Sequence, residues 1–117
     1  MIRTIIREIE AQTKLPMFPS ITDSIEECIV YSYEPVSDNG VVRKDRLTLR
    51  IIAETLPKVN EIDDIVRNIL ITIGDEKKIE GIFDCYVSGG GVLRDTDTHY
   101  YHSIKYYYIT IKSEVNI

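Results

Sequence analysis

Two aspartates and two histidines fall within eight residues near the end of the chain, in the segment DTDTHYYH. Asp95, Asp97, His99 and His102 offer carboxylate oxygens and imidazole nitrogens, which can ligate a metal ion. If the segment enters a strand, however, His99 and His102 differ by three positions and point to opposite faces of the sheet. A hairpin tip rich in Asp and Thr is also what turn chemistry requires. We therefore expect a solvated hairpin without metal, and keep a small metal-dependent enzyme or ligand-binding domain as the alternative.

Three consecutive glycines, Gly89 to Gly91, are the second feature with possible chemistry. A phosphate-binding loop needs a following Lys-Ser or Lys-Thr pair and a helix, whereas this run leads into a β-rich segment. A bulge or bend in a strand, or close approach of a neighbouring subunit, explains the glycines better. Cys28 and Cys85 each lie in an apolar stretch, so we expect buried thiols, with a disulfide or thiol chemistry as the alternative. We expect no catalytic residues and no cofactor.

The most basic segment is Arg43-Lys44-Asp45-Arg46, followed by Arg50, in a chain of net charge −5. These cations could contact an acidic partner surface or nucleic acid, or form a solvated hairpin edge that blocks unwanted strand pairing. The overall negative charge argues against a protein whose main task is to bind DNA through its phosphates. It leaves open a lumen through which DNA passes.

Eight tyrosines and no tryptophan occur, and the last apolar segment holds Tyr100, Tyr101, Tyr106, Tyr107 and Tyr108. Ordinary half-buried strand tyrosines explain part of this pattern, since the ring packs and the hydroxyl stays wet. If helices cover only one face of a sheet, tyrosines on the other face need a partner, and interfaces favour such residues. We predict that Tyr101 and Tyr107 contribute to a subunit or partner interface.

The sequence of the first half of the chain predicts a helix and a β-hairpin. Isoleucines at helical spacing predict a helix over residues 2–13 that ends before Pro16. The β-rich run at 27–35 and the alternating run at 46–54 predict two antiparallel strands around a turn at Asn39-Gly40. Residues 41–45 extend this hairpin beyond the body of the domain.

The second half begins with an apolar stripe that predicts a helix from near Pro57 to Gly74. The sequence then predicts strands at 82–88 with 92–94 and at about 100–112, joined as a hairpin by the polar turn at 95–98.

The composition favours sheet, because Ile and Val supply 29 residues against 6 Leu and 2 Ala. The element order α-β-β-α-β-β predicts a single α+β domain over residues 1–117. In it, two helices pack on one face of an antiparallel sheet of about four strands. No apolar run approaches the length that spans a membrane, and the N-terminus does not resemble a signal peptide, so we expect a soluble, cytoplasmic protein.

The chain as a whole resembles the tail terminator, or tail-completion, proteins of long-tailed bacteriophages and phage-tail-like particles. The resemblance covers about residues 2–112 and rests on element order, length and a Tyr-rich last strand. Its segments are a short first helix, the connector PMFPS, the strand ECIVYSYEP, the hairpin loop DNGVVRKD, the strand RLTLRIIAE, the helix PKVNEIDDIVRNILITIG and the ending GGGVLRDTDTHYYHSIKYYYITI.

This resemblance implies a non-enzymatic virion protein, assembled in the host cytoplasm and placed at the head-proximal end of the tail. Members of the family form rings, usually hexameric, that cap the tail tube, end its polymerisation and present a surface for the head–tail connector or neck protein. Genomic DNA would pass through the lumen without specific binding. The hairpin at 36–46 would be a mobile arm that meets a neighbouring subunit or the tail tube protein, through Arg43, Lys44 and Arg46. A different head–tail joining component, such as a neck or stopper protein, is the alternative.

Overall fold

The computed structural model describes residues 2–19, 27–71 and 81–113, with Phe83 described by its backbone. Two helices and five strands follow one another along the chain. They are α1 (Ile2–Thr13), β1 (Met17–Pro19), β2 (Cys28–Asp38), β3 (Val42–Ala53), α2 (Leu56–Leu70), β4 (Ile82–Arg94) and β5 (Tyr101–Lys112). The predicted α+β class is confirmed.

The strands form a single sheet in the order β1-β2-β3-β5-β4. All neighbours are antiparallel except β1 and β2, which run parallel. The prediction of about four antiparallel strands was short by one, because the connector at Met17–Pro19 pairs with β2. Pro19 can occupy this strand because β1 lies at the edge of the sheet, where a missing N–H costs no ladder hydrogen bond.

Both helices form where the sequence predicts them, with one boundary corrected. The hydroxyl of Thr55 accepts a hydrogen bond from the Lys58 N–H at 3.3 Å and caps α2, whose first turn contains Pro57. The helix ends at Leu70, earlier than predicted; Gly74 lies outside the described residues. Within the described ranges, no helix is long and apolar enough to cross a membrane.

One hydrophobic core lies between the helices and the sheet. Alternate residues of β3, namely Leu47, Leu49 and Ile51, are buried there, as the alternation predicts. The isoleucines Ile5 and Ile9 of α1 belong to the same cluster. The helix α2 packs over β3 and β5, and α1 packs beside α2.

The hairpin between β2 and β3 is longer and more regular than the predicted loop. Its pairing continues through a bulge after Pro35 to the pair Asp38 and Arg43, so the turn shrinks to residues 39–41. The Asn39 side chain accepts hydrogen bonds from the N–H groups of Val41 and Val42, both at 2.9 Å. Because residues 42–46 also pair with β5, they lie within the sheet, and the prediction of a mobile arm at 36–46 is wrong for them.

A candidate binding face on the sheet

The sheet has two unlike faces, because side chains alternate along each strand. The covered face packs against α1 and α2. The opposite, open face carries a set of basic and aromatic side chains on three neighbouring strands, whose registers place them together. We call this set the tyrosine patch; it consists of Lys44, Arg46, Tyr86, Tyr106 and Tyr108.

The centre of the tyrosine patch is a stacked pair of rings. Tyr86 of β4 and Tyr108 of β5 pair across the strands, with ring centroids 5.2 Å apart and planes inclined by 16°. The Lys44 Nζ lies 5.7 Å from the centroid of the Tyr86 ring, within range of a cation–π interaction. The three side chains come from three different strands, so the sheet register holds the cation and the rings together. This arrangement can bind an acidic or apolar partner surface without further folding.

Arg46 lies next to this pair and forms an ion pair with Glu34 on β2. The hydrogen bond that Arg46 donates to the Glu34 carboxylate is the main reason that the pKa of Arg46 is raised. Both side chains remain substantially exposed, so a partner can reach them. The predicted site residues Lys44 and Arg46 therefore lie together on the open face.

Arg43 faces the other way, and its predicted role needs correction. Its Nε and Nη2 atoms donate to Oδ2 of Asp45 at 3.1 and 2.9 Å, and the Tyr33 hydroxyl donates to the same oxygen. Asp45 is 0% exposed. The hydrogen bond to Asp45 raises the pKa of Arg43, while burial, aided by Asp45, raises the pKa of Tyr33. Arg43 is thus a structural counter-ion at the covered side of the sheet.

The two tyrosines chosen from the sequence also lie on the covered side. Tyr107 pairs with Leu47 in the register, is 2% exposed and belongs to the core, so it lies apart from the tyrosine patch. Burial raises the pKa of its hydroxyl. Tyr101 is half-buried against the same core. On β5, Tyr106 and Tyr108, the residues on either side of Tyr107, lie on the open face, which only the pairing with β3 reveals.

The segment DTDTHYYH, for which the sequence predicts a hairpin and leaves a metal site as the alternative, forms the turn between β4 and β5 and the start of β5. One carboxylate oxygen of Asp95 accepts a hydrogen bond from the Asp97 N–H at 2.8 Å, which is the main reason that the pKa of Asp95 is lowered. His99 lies in the turn with φ 65°, and His102 Nε2 lies 3.8 Å from Asp95 Oδ2. Across residues 2–19, 27–71 and 81–113, no three His, Cys, Asp or Glu side chains cluster in a way that could hold a metal ion.

The glycine run forms the bulge that the sequence predicts. The register between β4 and β5 shifts between Val87 and Gly90, and Gly89 and Gly90 have φ values of 71° and 118°. A Cβ atom on Gly90 would lie 2.1 Å from the carbonyl oxygen of Ile104, so any other residue at this position requires the backbone to shift.

Both cysteines are buried and unpaired, as expected. Burial raises the pKa of the Cys85 thiol to about 12 and also raises the pKa of Cys28. Neither thiol is therefore poised to act as a nucleophile at neutral pH.

No protein-family model and no curated protein sequence matches this chain. Among solved structures, the fold is similar to that of a chain in the virion of a native gene transfer agent particle, with a TM-score of 0.65. The alignment covers 95% of this chain and 93% of that chain, at 8% sequence identity. The two chains therefore share a fold over nearly their whole lengths.

Proposed function

We propose that this protein is a non-enzymatic structural component of a bacteriophage or phage-tail-like virion. The observation that carries the proposal is the likeness in fold to a chain of a gene transfer agent virion, which extends over nearly all of both chains. A likeness of this extent is one between whole domains and not between shared supersecondary motifs. It agrees with the resemblance of the element order to tail terminator proteins.

Within the virion, the proposed role is that of a tail terminator. Copies of the chain form a ring, expected to be a hexamer, that caps the tail tube and ends its polymerisation. The ring then presents its outer surface to the head–tail connector or neck protein. The net charge of −5 suits a lumen through which genomic DNA slides without binding.

The tyrosine patch is the part of the chain that we assign to the tail tube. Tyr86 is 43% exposed although it is stacked on Tyr108, and Lys44 places a positive charge over its ring. Tyrosine and arginine are enriched at the energetically important centres of protein interfaces. Because strand pairing fixes the backbone under the patch, only its side chains lose conformational entropy when a partner binds.

The test is to mix the purified protein with tail tubes and to examine tube length, caps and head attachment by negative-stain electron microscopy. The variant Lys44→Glu reverses the charge in the patch. The matched control Lys58→Glu makes the same change at an exposed position at the start of α2, on the other side of the molecule. Both variants should fold as the wild type does, as judged by circular dichroism.

We expect Lys58→Glu to cap tubes normally and Lys44→Glu to leave tubes of uncontrolled length without heads. Normal capping by Lys44→Glu would remove the tyrosine patch from the mechanism. A wild-type protein that binds neck components but never tubes would assign it to the neck or stopper class. Failure to associate with tubes and with neck components at any concentration would refute the virion role.

A further inference from the structure

The helical layer is narrower than the sheet beneath it. The helix α2 packs over β3 and β5, while the edge strand β4 lies beyond them. Val87 and Val92 of β4 pair with Tyr107 and Ser103, so their side chains lie on the covered face. They are nevertheless exposed, at 36% and 45%. Two valines on the helix side of the edge strand thus lack the cover that the rest of that face receives.

A cleft of about 510 Å³ separates Val87 from α2, and Val92 lies further along the same edge strand. Its walls carry charges of both signs, with Asp63, Asp64 and Arg67 on the helix and Lys105 on β5. One oxygen of Asp63 accepts a hydrogen bond from Ser103 at 2.6 Å, and the other is buried without a partner among the described residues. We call the two valines and this cleft the β4 shelf.

The outer side of α1 carries charged and apolar side chains of the same kinds as those of the β4 shelf. On α1, exposed Arg3, Arg7, Glu10 and Ala11 line a shallow groove beside half-buried Ile6. Arg3 and Arg7 are like charges four positions apart, an arrangement that is mildly unfavourable for an isolated helix. We call this side of the helix the α1 flank.

The order of charges makes the two surfaces complementary. Along α2, the acids at 63 and 64 precede the base at 67, and along α1, the bases at 3 and 7 precede the acid at 10. Two helices lying side by side in the same direction, with Arg7 beside Asp64, would therefore also bring Glu10 beside Arg67. The apolar parts of the two surfaces would also come into contact. These are Ile6 and Ala11 on the α1 flank and Val87 and Val92 on the β4 shelf.

We infer that the β4 shelf binds the α1 flank of a second copy of this chain. The helical layer then continues across the subunit boundary, with α1 of one copy parallel to α2 of the next. Because the two surfaces differ, the contact is heterologous and repeats from copy to copy until a ring closes. This inference rests on the proposed ring and names the surfaces that build it, which are separate from the tyrosine patch assigned to the tube.

The first test uses two adjacent residues of β4. Val92→Asp places a charge on the shelf, whereas Leu93→Asp places the same charge on the open face, at a residue that is 48% exposed. Self-association of the free protein is measured by sedimentation velocity at up to millimolar concentration. We expect Val92→Asp to remain monomeric and Leu93→Asp to associate as the wild type does.

A second test uses the charges. Arg7→Glu and Asp64→Arg should each weaken self-association by about tenfold, because juxtaposed like charges oppose docking. The double variant R7E/D64R restores an opposite pair and should recover most of the loss. Recovery would distinguish a direct contact from a general effect of charge.

The results separate this contact from the proposed function. Rings formed by Val92→Asp, or lost only in Leu93→Asp, would overturn the contact and leave the terminator role intact if tubes are still capped. A wild-type protein that stays monomeric throughout the concentration series would also overturn the contact, and the capping assay would then decide the terminator role by itself.

Discussion

Along β3, each residue that faces the helices is followed by one that faces away, and the two sets have different chemistry. Leu47, Leu49 and Ile51 are almost completely buried, whereas Thr48 and Arg50 lie on the open face between them. The covered face excludes water, so its apolar side chains stabilise the fold in proportion to the area that they bury. The open face contributes less to stability and is the one available to a partner.

Two carboxylates on β2 and β3 show the same contrast between the faces. Each forms an ion pair with an arginine of β3. Asp45 on the covered face is fully buried and accepts hydrogen bonds from Arg43 and Tyr33. Glu34 on the open face pairs with Arg46 where water competes. The chemical groups of the two ion pairs are alike, and the face on which a pair lies decides how much it contributes to the stability of the fold.

The largest expected effect is on the covered face. Ile69 of α2 is 1% exposed, and Ile69→Ala should lower the free energy of unfolding by about 2–5 kcal/mol. The control is Ile104→Ala, which removes the same atoms from a half-buried residue of the open face. Urea unfolding measures both. Equal losses for the two variants would contradict the distinction between the faces.

Most of the covered face could be predicted from the sequence, because period-2 and period-3.6 patterns are strongest where burial is complete. The alternation of Leu47, Leu49 and Ile51 was sufficient to place β3. The buried Asp45 interrupts this pattern, so the sequence predicts a strand from residue 46, four residues after its start at Val42, and does not indicate the pairing of residues 42–45. The strand β1 was missed because three residues ending in proline show no periodicity.

The open face could not be predicted, because it depends on register. A strand with tyrosines at both odd and even positions does not reveal which set faces the helices. The pairing of Tyr107 with Leu47 decides this, and that contact lies far along the chain. The register places Tyr101 and Tyr107 on the covered face and Tyr106 and Tyr108 on the open face, a division that the sequence alone does not make.

The next effect concerns the two carboxylates. Asp45→Asn removes the charged acceptor shared by Arg43 and Tyr33 and should destabilise the protein by about 1–3 kcal/mol. Glu34→Gln makes the same change on the open face and should leave the unfolding midpoint unchanged within error. Thermal unfolding of both variants checks this. A larger loss for Glu34→Gln than for Asp45→Asn would reverse the assigned importance of the two ion pairs.

A third pair of variants tests the bulge in the edge strand β4. Gly90→Ala forces a Cβ atom against the Ile104 carbonyl at a positive φ, and should cost about 1–3 kcal/mol. Gly91→Ala meets no atom within 4 Å and should be tolerated. The urea concentrations at which the two variants are half unfolded are compared with each other and with that of the wild type. If both variants are equally stable, the bulge does not have the geometry described.

The smallest expected effect is a pH dependence of stability that arises from His102, a buried residue on the open face. His102 is 8% exposed, and its Nδ1 atom is buried without a partner among the described residues. Burial, with a smaller contribution from Arg50, lowers the pKa of this imidazole below its ordinary value of 6.5, although Asp95 opposes the shift.

As pH falls below 6.5, the unfolded chain binds a proton at this histidine before the folded chain does. Stability is therefore full above that pH and decreases below it, until the folded imidazole also becomes protonated. His102→Gln should remove this loss and reduce the difference in stability between about pH 7.5 and about pH 5.5 by up to about 1 kcal/mol. The control is His99→Gln, which makes the same substitution in the exposed turn. Urea unfolding at the two pH values measures the difference for both variants, and an unchanged difference in His102→Gln would contradict the burial of this ring.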